Sequence, residues 1–405
     1  MRLRYRYRLY PTPGQCVALA RAFGYARVVF NDFVAARDQA HRAGEKPPSG
    51  GALQKKLITE AKKTPERAWL SEVSNIVLQQ AARDAETAYR NFFASFNGHR
   101  RGARMGAPRF RSRKDHRQAI RLHSGGFRVR DNGRLNLARI GDVRVAWSRD
   151  LPSAATSVTV IKTADSRYFA SFVVETDPDN HGEHLPAVVD KHGDVELALD
   201  LGLNAFATDQ RGRVIDNPRV LRRAERRLKK AQRALSRKQE GSANRAKAHA
   251  RVARLHAKVT DTRADWLHKV TTRMIRESQA IYLEDLSVKG LARSRLARSV
   301  HEVSWGRFMS LLQYKAARYG RTVVTIGRFH PSTKLCSRCG ALQEMPLSAR
   351  IYRCGYGLAL DRDHNAAHNI LAAGRAERQN ACGDQVRPPF GVAQVAEAGT
   401  HRSAR

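Results

Sequence analysis

The sequence predicts an α+β protein of several domains, and three observations carry that reading. The chain has 405 residues, more than a single hydrophobic core usually serves. Its apolar period switches between two and about 3.6, so strands and helices come in blocks. Its charge is lopsided: 74 Lys and Arg face 37 Asp and Glu, for a formal net charge of +37 and an isoelectric point near 11.0. That excess points to a polyanion partner, of which nucleic acid is the commonest. A hydrophobic content of 42% excludes a disordered basic tail. No apolar run approaches the ~20 residues of a membrane span. The first residues lack the apolar block of a signal peptide, and five sparse cysteines do not form a secreted disulfide framework. The expectation is a soluble, cytoplasmic protein with no membrane partner.

Arg2 to Leu9 alternates arginines with Leu3, Tyr5, Tyr7 and Leu9, which reads as a half-buried strand. Thr12-Pro13-Gly14-Gln15 then has the form of a helix-capping box with proline at the first helical position. Residues 13–97 read as helices. Their clearest stripe is Val73, Val77, Ala81, Ala85, Ala88, Phe92 and Phe96, expected to be core. At Gly98 the composition changes, and residues 98–121 hold nine Lys and Arg against Asp115 alone. Within them Arg109, Phe110, Arg111, Arg113 and Lys114 interleave an aromatic with cations, which suits phosphate contacts and base stacking. From Phe127 to Thr176 the period is two. One hairpin turns at Asn132-Gly133 and another at Ala164-Asp165-Ser166, as in a small β-barrel.

Asn217-Pro218 opens a helical hairpin with stripes at Leu221, Ala224, Leu228, Ala231, Leu235 and at Val252, Leu255, Val259, Trp266, Val270. Residues 221–258 carry fourteen Lys and Arg against Glu225 and Glu240. A solvated helix usually mixes signs, so this face, including Arg226, Lys229 and Lys230, suits a phosphate backbone.

Three acids stand out by their settings. Asp200 lies in the strand Val195–Leu203, opposite the leucines and between Ala198 and Gly202, where small neighbours leave room for an ion and substrate. Glu284 ends the apolar strand Ala280-Ile281-Tyr282-Leu283. Asp363 opens a helix that continues through Ala366, Ala367 and Ile370, with Asp361 beside it. Such carboxylates can converge on hard cations, Mg²⁺ or Mn²⁺, which would serve phosphodiester hydrolysis. A strand hairpin, a long insertion, a strand and then a helix is the order of a ribonuclease-H-like nuclease core.

Between the second and third acids lies Cys336-Ser337-Arg338-Cys339-Gly340, followed by Cys354. The CxxC spacing suits tetrahedral Zn²⁺. A second complete pair would need cysteine at 357, where Gly357 stands. Spacing leaves the fourth ligand open among Cys382, His364, His368 and water. Cys16, within a helical pattern, reads as a buried apolar residue.

At these residues the chain resembles the TnpB (OrfB) family of insertion-sequence proteins, relatives of the compact type V CRISPR nucleases. The likeness runs in order through Tyr5–Pro11, Val77–Gln80 before Asn91-Phe92-Phe93, Pro108-Arg109-Phe110, Leu199-Asp200-Leu201-Gly202 and Leu283-Glu284-Asp285-Leu286. It continues through Ser304-Trp305-Gly306, Tyr314-Lys315-Ala316, Pro331-Ser332 and Asp361-Arg362-Asp363 before Asn365-Ala366-Ala367. The resemblance implies a wedge-type β-barrel (1–12 and 98–180) and a helical recognition domain (13–97). It implies a RuvC-like nuclease domain over 185–333 and 359–374, with the basic hairpin at 218–274 and a degenerate zinc ribbon at 334–358. Residues 375–405 are expected to form a mobile tail. By the same resemblance, Asp200, Glu284 and Asp363 are the catalytic acids, Asp363 being favoured over Asp361. The implied activity is RNA-guided endonucleolytic hydrolysis of double-stranded target DNA beside a transposon-associated motif, with guide RNA from the transposon end and a link to transposition and DNA recombination. The competing reading is a non-cleaving RNA-guided DNA-binding regulator on the same scaffold.

Overall fold

The alternation that opens the chain builds its first sheet. A computed structural model describes residues 2–100, 102–115, 117–176, 196–346 and 348–381. They fall into two compact units, Met1–Glu183 with Leu228–Ala257 and His184–Arg227 with Lys258–Arg405.

In the first unit the strands are β1 (Arg2–Tyr10), β2 (Gln118–His123), β3 (Phe127–Val129), β4 (Leu135–Leu137), β5 (Gly141–Ala146), β6 (Ala155–Lys162) and β7 (Tyr168–Glu175). They form one sheet in the order β2-β6-β7-β1-β5-β4-β3. Leu3, Tyr5, Tyr7 and Leu9 are buried, and Tyr5 lies opposite Phe172 in the antiparallel β1–β7 pair. The two edge strands, β2 and β3, are joined by Ser124–Gly126 alone. Three residues reach only roughly 10 Å, so the sheet must curl until its edges approach each other. Strand β2 begins within the basic stretch 98–121, and only Ile120 and Leu122 give it an apolar face.

Helix α1 (Pro13–Arg42) starts as the sequence prescribes. Thr12 Oγ1 accepts from Gln15 N at 3.3 Å, while Gln15 Oε1 accepts from Thr12 N at 3.0 Å. With α2 (Gly50–Gln54) and α3 (Asn75–Phe96) it packs on the sheet. Phe30, Phe33, Leu78 and Ala82 belong to the same buried cluster as Tyr7 and Phe172. The helices of 13–97 therefore share a buried core with the sheet. One apolar sheet face and one helix stripe bury each other, which neither does alone. The stripe on α3 also stops early: Val77, Ala81 and Ala85 are buried, Ala88 and Phe92 are only partly so, and Phe96 is 63% exposed.

In the second unit β8 (Glu196–Asp200), β9 (Ala205–Asp209) and β10 (Val214–Asp216) run antiparallel. The helices α4 (Val220–Ser236) and α5 (Ala243–Glu277) follow in the chain, their residues 228–257 belonging to the first unit. Next come β11 (Ala280–Glu284), α6 (Val288–Leu291), α7 (Ala297–Val303), α8 (Trp305–Tyr319) and β12 (Thr322–Ile326). Strand β11 is parallel to both β8 and β12, and the sheet order is β10-β9-β8-β11-β12. Parallel neighbours require crossovers, which α5 and α8 supply. This is the strand arrangement of a ribonuclease-H-like core. A small hairpin of β13 (Ile351–Arg353) and β14 (Ala359–Asp361) then runs straight into α9 (Arg362–Ala381). Strand β14 thus extends the ribbon past the expected boundary at 358. Helix α9 likewise continues past the expected start of the tail at 375, and residues 382–405 lie outside the described residues.

Alternation along the central strands sorts their side chains. Leu197, Leu199, Ile281 and Leu283 pack with Leu267, Met274, Phe308 and Leu312 of α5 and α8. Ala198, Tyr282 and Ile326 face the other way, onto Ile370 of α9. A Cβ placed on Gly374 would run into the Tyr282 ring, so glycine sets how closely α9 approaches the sheet. Glu196 locks that approach, accepting from Tyr282 Oη and Arg375 Nε, both at 2.6 Å. Among the described residues no helix is long and apolar enough to cross a membrane.

Substituting Gly374→Ala should overpack this contact and cost about 1–3 kcal/mol, read as a lower denaturant midpoint. Gly306→Ala, at a helical position with open space around it, should be neutral or stabilising.

Candidate functional site

The register of the parallel pair decides where the strand carboxylates meet. Ala280 lies opposite Glu196 and Leu283 opposite Leu199, so one step further Glu284 comes beside Asp200. Both are at the carboxyl ends of neighbouring strands, where open α/β sheets usually bind ligands. Both also follow the alternation of Ala198 and Tyr282 toward α9. The third acid arrives on the first turn of that helix. Asp361 Oδ1 accepts from the backbone N–H groups of Asp363 at 2.9 Å and His364 at 3.2 Å, so Asp361 is the helix cap. Asp363 is left to face the strand acids, its carboxylate flanked by Arg362 at 3.3 Å and Arg350 at 4.0 Å. The two acids that the sequence left side by side therefore do different work.

Asp200 carries the electrostatic mark of the other two acids. Asp200 is buried, and its carboxyl is pushed up to about 8. Loss of hydration is the first cause, the charges of Glu284 and Asp363 follow, Arg362 opposes them only in part, and Asp361 adds a smaller repulsion. Three oxygen-donor carboxylates that repel one another suit a hard divalent cation, whose charge would relieve both burial and repulsion. Mg²⁺ or Mn²⁺ fits this donor set.

Hydrogen bonds behind the acids fix their positions. Ser332 Oγ donates to Glu284 Oε1. The Ser332 carbonyl accepts from Asn369 Nδ2 at 2.7 Å, and Asn369 and Asn365 both donate to the Leu335 carbonyl at 2.7 Å. Asn365 Oδ1 in turn accepts from Ser337 N at 3.0 Å. On the other side, His364 Nε2 meets the Gln210 carbonyl at 3.0 Å and ties α9 to the β9–β10 turn. Gly212 at φ +74 keeps that turn close, since a Cβ there would meet the His364 ring at 3.1 Å. Sequence reasoning gave Ser332 and Asn369 no role. The usable signal was Asn365 and Asn369 spaced four apart on a helix whose Ala366, Ala367 and Ile370 are buried: two amides beside an apolar face must find partners.

Cys336, Cys339 and Cys354 come together, their sulfurs within 4.8 Å of one another. Among the described residues no His, Asp or Glu joins them. His364 is held at Gln210 and its ring stacks on His368 at 4.9 Å, while Cys382 lies outside the described residues. The donor set fits a soft metal such as Zn²⁺ with three protein ligands. Cys16 is only partly buried, beside the core of the first unit.

Of the residues expected to touch nucleic acid, Arg109, Phe110, Arg113, Lys114, Arg226, Lys229 and Lys230 are exposed. Arg111 is committed to the fold. Its guanidinium lies 3.6 Å from the Phe30 ring centre and 3.7 Å from Asp84, and its backbone pairs with the Asn31 amide. It lines a cavity of about 330 Å³ with Arg4, Arg27, Arg117 and Arg121.

Residues 171–295 match the OrfB family described as a probable transposase, and residues 305–370 match the Cas12f1-like TNB domain. Residues 1–46 match a family described as a helix-turn-helix domain, although here they form one strand and a single helix of 30 residues. The chain is 42% identical to a "Putative RNA-guided DNA endonuclease" of Streptomyces pristinaespiralis, covering 95% of this chain and 92% of that one. It is 30% identical to "Putative RNA-guided DNA endonuclease InsQ" of Escherichia coli, covering 95% and 94%. Among solved structures, the Cas12f1 chain from a complex with sgRNA and target DNA has a TM-score of 0.53 at 12% identity, covering 87% of this chain and 82% of that one. That likeness is one of fold.

Because the folded state holds the Asp200 proton up to about pH 8 while an unfolded chain releases it near 4, this group lowers stability as pH rises between those values. In EDTA, Asp200→Asn should therefore melt at a higher temperature than wild type at pH 8, and the gap should shrink toward pH 5. A pH series of thermal melts on both proteins checks this.

Proposed function

The chain belongs to the TnpB (OrfB) family, and on that premise we propose that it is an RNA-guided, metal-dependent DNA endonuclease. The observation that carries the reading is the gathering of Asp200, Glu284 and Asp363 at one end of a ribonuclease-H-like sheet within a chain of net charge +37. The relatives named as RNA-guided DNA endonucleases support a guide RNA and a DNA target, which the family reading takes to be double-stranded. By the same family reading, cleavage lies beside a transposon-associated motif and serves the mobility of the element. The curled sheet and its helices are the wedge and recognition modules, and the thiolate hairpin is the ribbon.

Each acid has a distinct task in this proposal. Asp200 gives up its proton when a cation enters, so cation affinity rises with pH through about 8. Glu284 is aimed by the Ser332 hydroxyl. Asp363 is presented by a helix N-terminus, where the helix dipole favours a negative charge. Bound among these acids, Mg²⁺ or Mn²⁺ would activate water and stabilise the leaving oxygen of the phosphodiester. The exposed cations at 109–114 and on α4 grip the phosphate backbone, with Phe110 available for stacking. The arginine-lined cavity beside Arg111 supports the same electrostatic role.

Purified protein loaded with RNA transcribed from the 3′ end of its gene and the adjoining DNA should cut a matching duplex in Mg²⁺. Alanine at Asp200, Glu284 or Asp363 should abolish cutting and leave guided binding intact. Asp361→Ala should retain cutting and lose about 0.5–2 kcal/mol of stability, the value of a helix cap. Guided binding without cutting in either Mg²⁺ or Mn²⁺ would make the protein a regulator instead. Ser332→Ala should raise the Mn²⁺ concentration needed for half-maximal cutting, and Ser332→Thr should restore it.

A further inference from the structure

The two turns that carry the cysteines are not equivalent, and the difference defines the metal site. In the first, Cys336 O accepts from Gly340 N at 2.9 Å, four residues on, and Gly340 has φ +74. In the second, Cys354 O accepts from Gly357 N at 3.0 Å, three residues on, and Gly357 has φ +87. Gly357 therefore closes its turn as Gly340 does, with one residue fewer between the cysteine and the glycine. The position that carries Cys339 in the first turn has no counterpart in the second. The missing ligand is a deletion, not an exchange of cysteine for glycine.

The remaining sulfurs are still arranged to share an ion. Cys339 Sγ and Cys354 Sγ are 3.4 Å apart, and all three lie within 4.8 Å. The cluster is lopsided in exposure: Cys336 is buried, Cys354 is half-buried and Cys339 is exposed. The Tyr356 backbone N–H, next to the deletion, points at Cys354 Sγ at 3.3 Å, and the Tyr356 side chain is 76% exposed. The missing ligand thus belongs on the solvent side of the cluster. Closed structural zinc sites use four protein ligands, whereas sites with three keep a position for water or another small donor.

We propose that this chain carries an open three-thiolate metal site, formed by Cys336, Cys339 and Cys354, whose fourth coordination position takes an exchangeable ligand from solvent. The chemical class is a soft or borderline ion, Zn²⁺ first, with water as resting ligand and small neutral nitrogen or thiol donors as replacements. Such a site exchanges both ligand and metal more readily than a four-cysteine ribbon.

Cobalt(II) is the probe, since thiolate-bound Co²⁺ absorbs strongly in the visible and near ultraviolet and carboxylate-bound Co²⁺ does so only weakly. The full chain loaded with Co²⁺ should show thiolate bands that shift saturably on titration with imidazole. Inserting a cysteine between Tyr356 and Gly357 should remove the imidazole response and slow metal release to a chelator several-fold. Absence of thiolate bands in the wild type would overturn the proposal. So would wild-type bands that ignore imidazole, since a protein group then fills the fourth position. In that case Cys382→Ser, if it created the response, would identify the group. The imidazole titration needs only the wild-type chain, so a misfolded insertion variant would not shield the proposal.

Discussion

Helix α9 lies directly against the Tyr282 ring because Gly374 has no side chain to hold it off, and the candidate site depends on that closeness. Glu196 fixes the approach from the sheet side through Tyr282 and Arg375. At the other end of the helix the same approach carries Asp363 to the strand ends that bear Asp200 and Glu284. Asn365 and Asn369, one turn apart, then hold the segment from Ser332 to Ser337. A single helix–sheet contact thus positions an acid, the serine that aims a second acid, and the start of the thiolate hairpin.

The cost of this arrangement falls on Asp200. A buried carboxylate beside two others is unfavourable as an anion, and the protein holds it protonated up to about pH 8. The fold accepts that burden because Asp200 lies at the end of a strand whose buried leucines and Ala198 commit it to the core on both faces. The proposed function gives the strain a use: a divalent cation relieves desolvation and repulsion together. The strong positive charge elsewhere has its own consequence. Among the described residues most of it is on exposed side chains, where it can meet a polyanion.

Much of this was legible in the sequence. Alternation in Arg2–Leu9 gave β1 and its buried face, because a period of two has one meaning when every second residue is apolar. The capping box at Thr12 gave the start of α1. The settings of Asp200, Glu284 and Asp363 singled out three acids, and Asp200 lies within the electrostatic influence of the other two. Less legible was the shared core of the first unit, since a helix stripe does not say what it will pack against. The exposure of Phe96 belongs to the same blind spot. Arg111 looked like its cationic neighbours, and only its place beside Phe30 and Asp84 separates it from them.

What the sequence determined by itself was local: which segments are strands or helices, which residues carry charge, and that the second cysteine pair is incomplete. Each depends on spacing along the chain, which the covalent order sets. The tertiary structure decided what spacing cannot reach. Parallel register put Glu284 beside Asp200, and backbone geometry at the start of α9 made Asp361 a cap and left Asp363 for the site. Long-range hydrogen bonds gave Ser332 and Asn369 their tasks. Apart from the Asp361 cap, which is local, those outcomes come from residues tens of positions apart in sequence, brought together only when the sheet and α9 bury their apolar faces against each other.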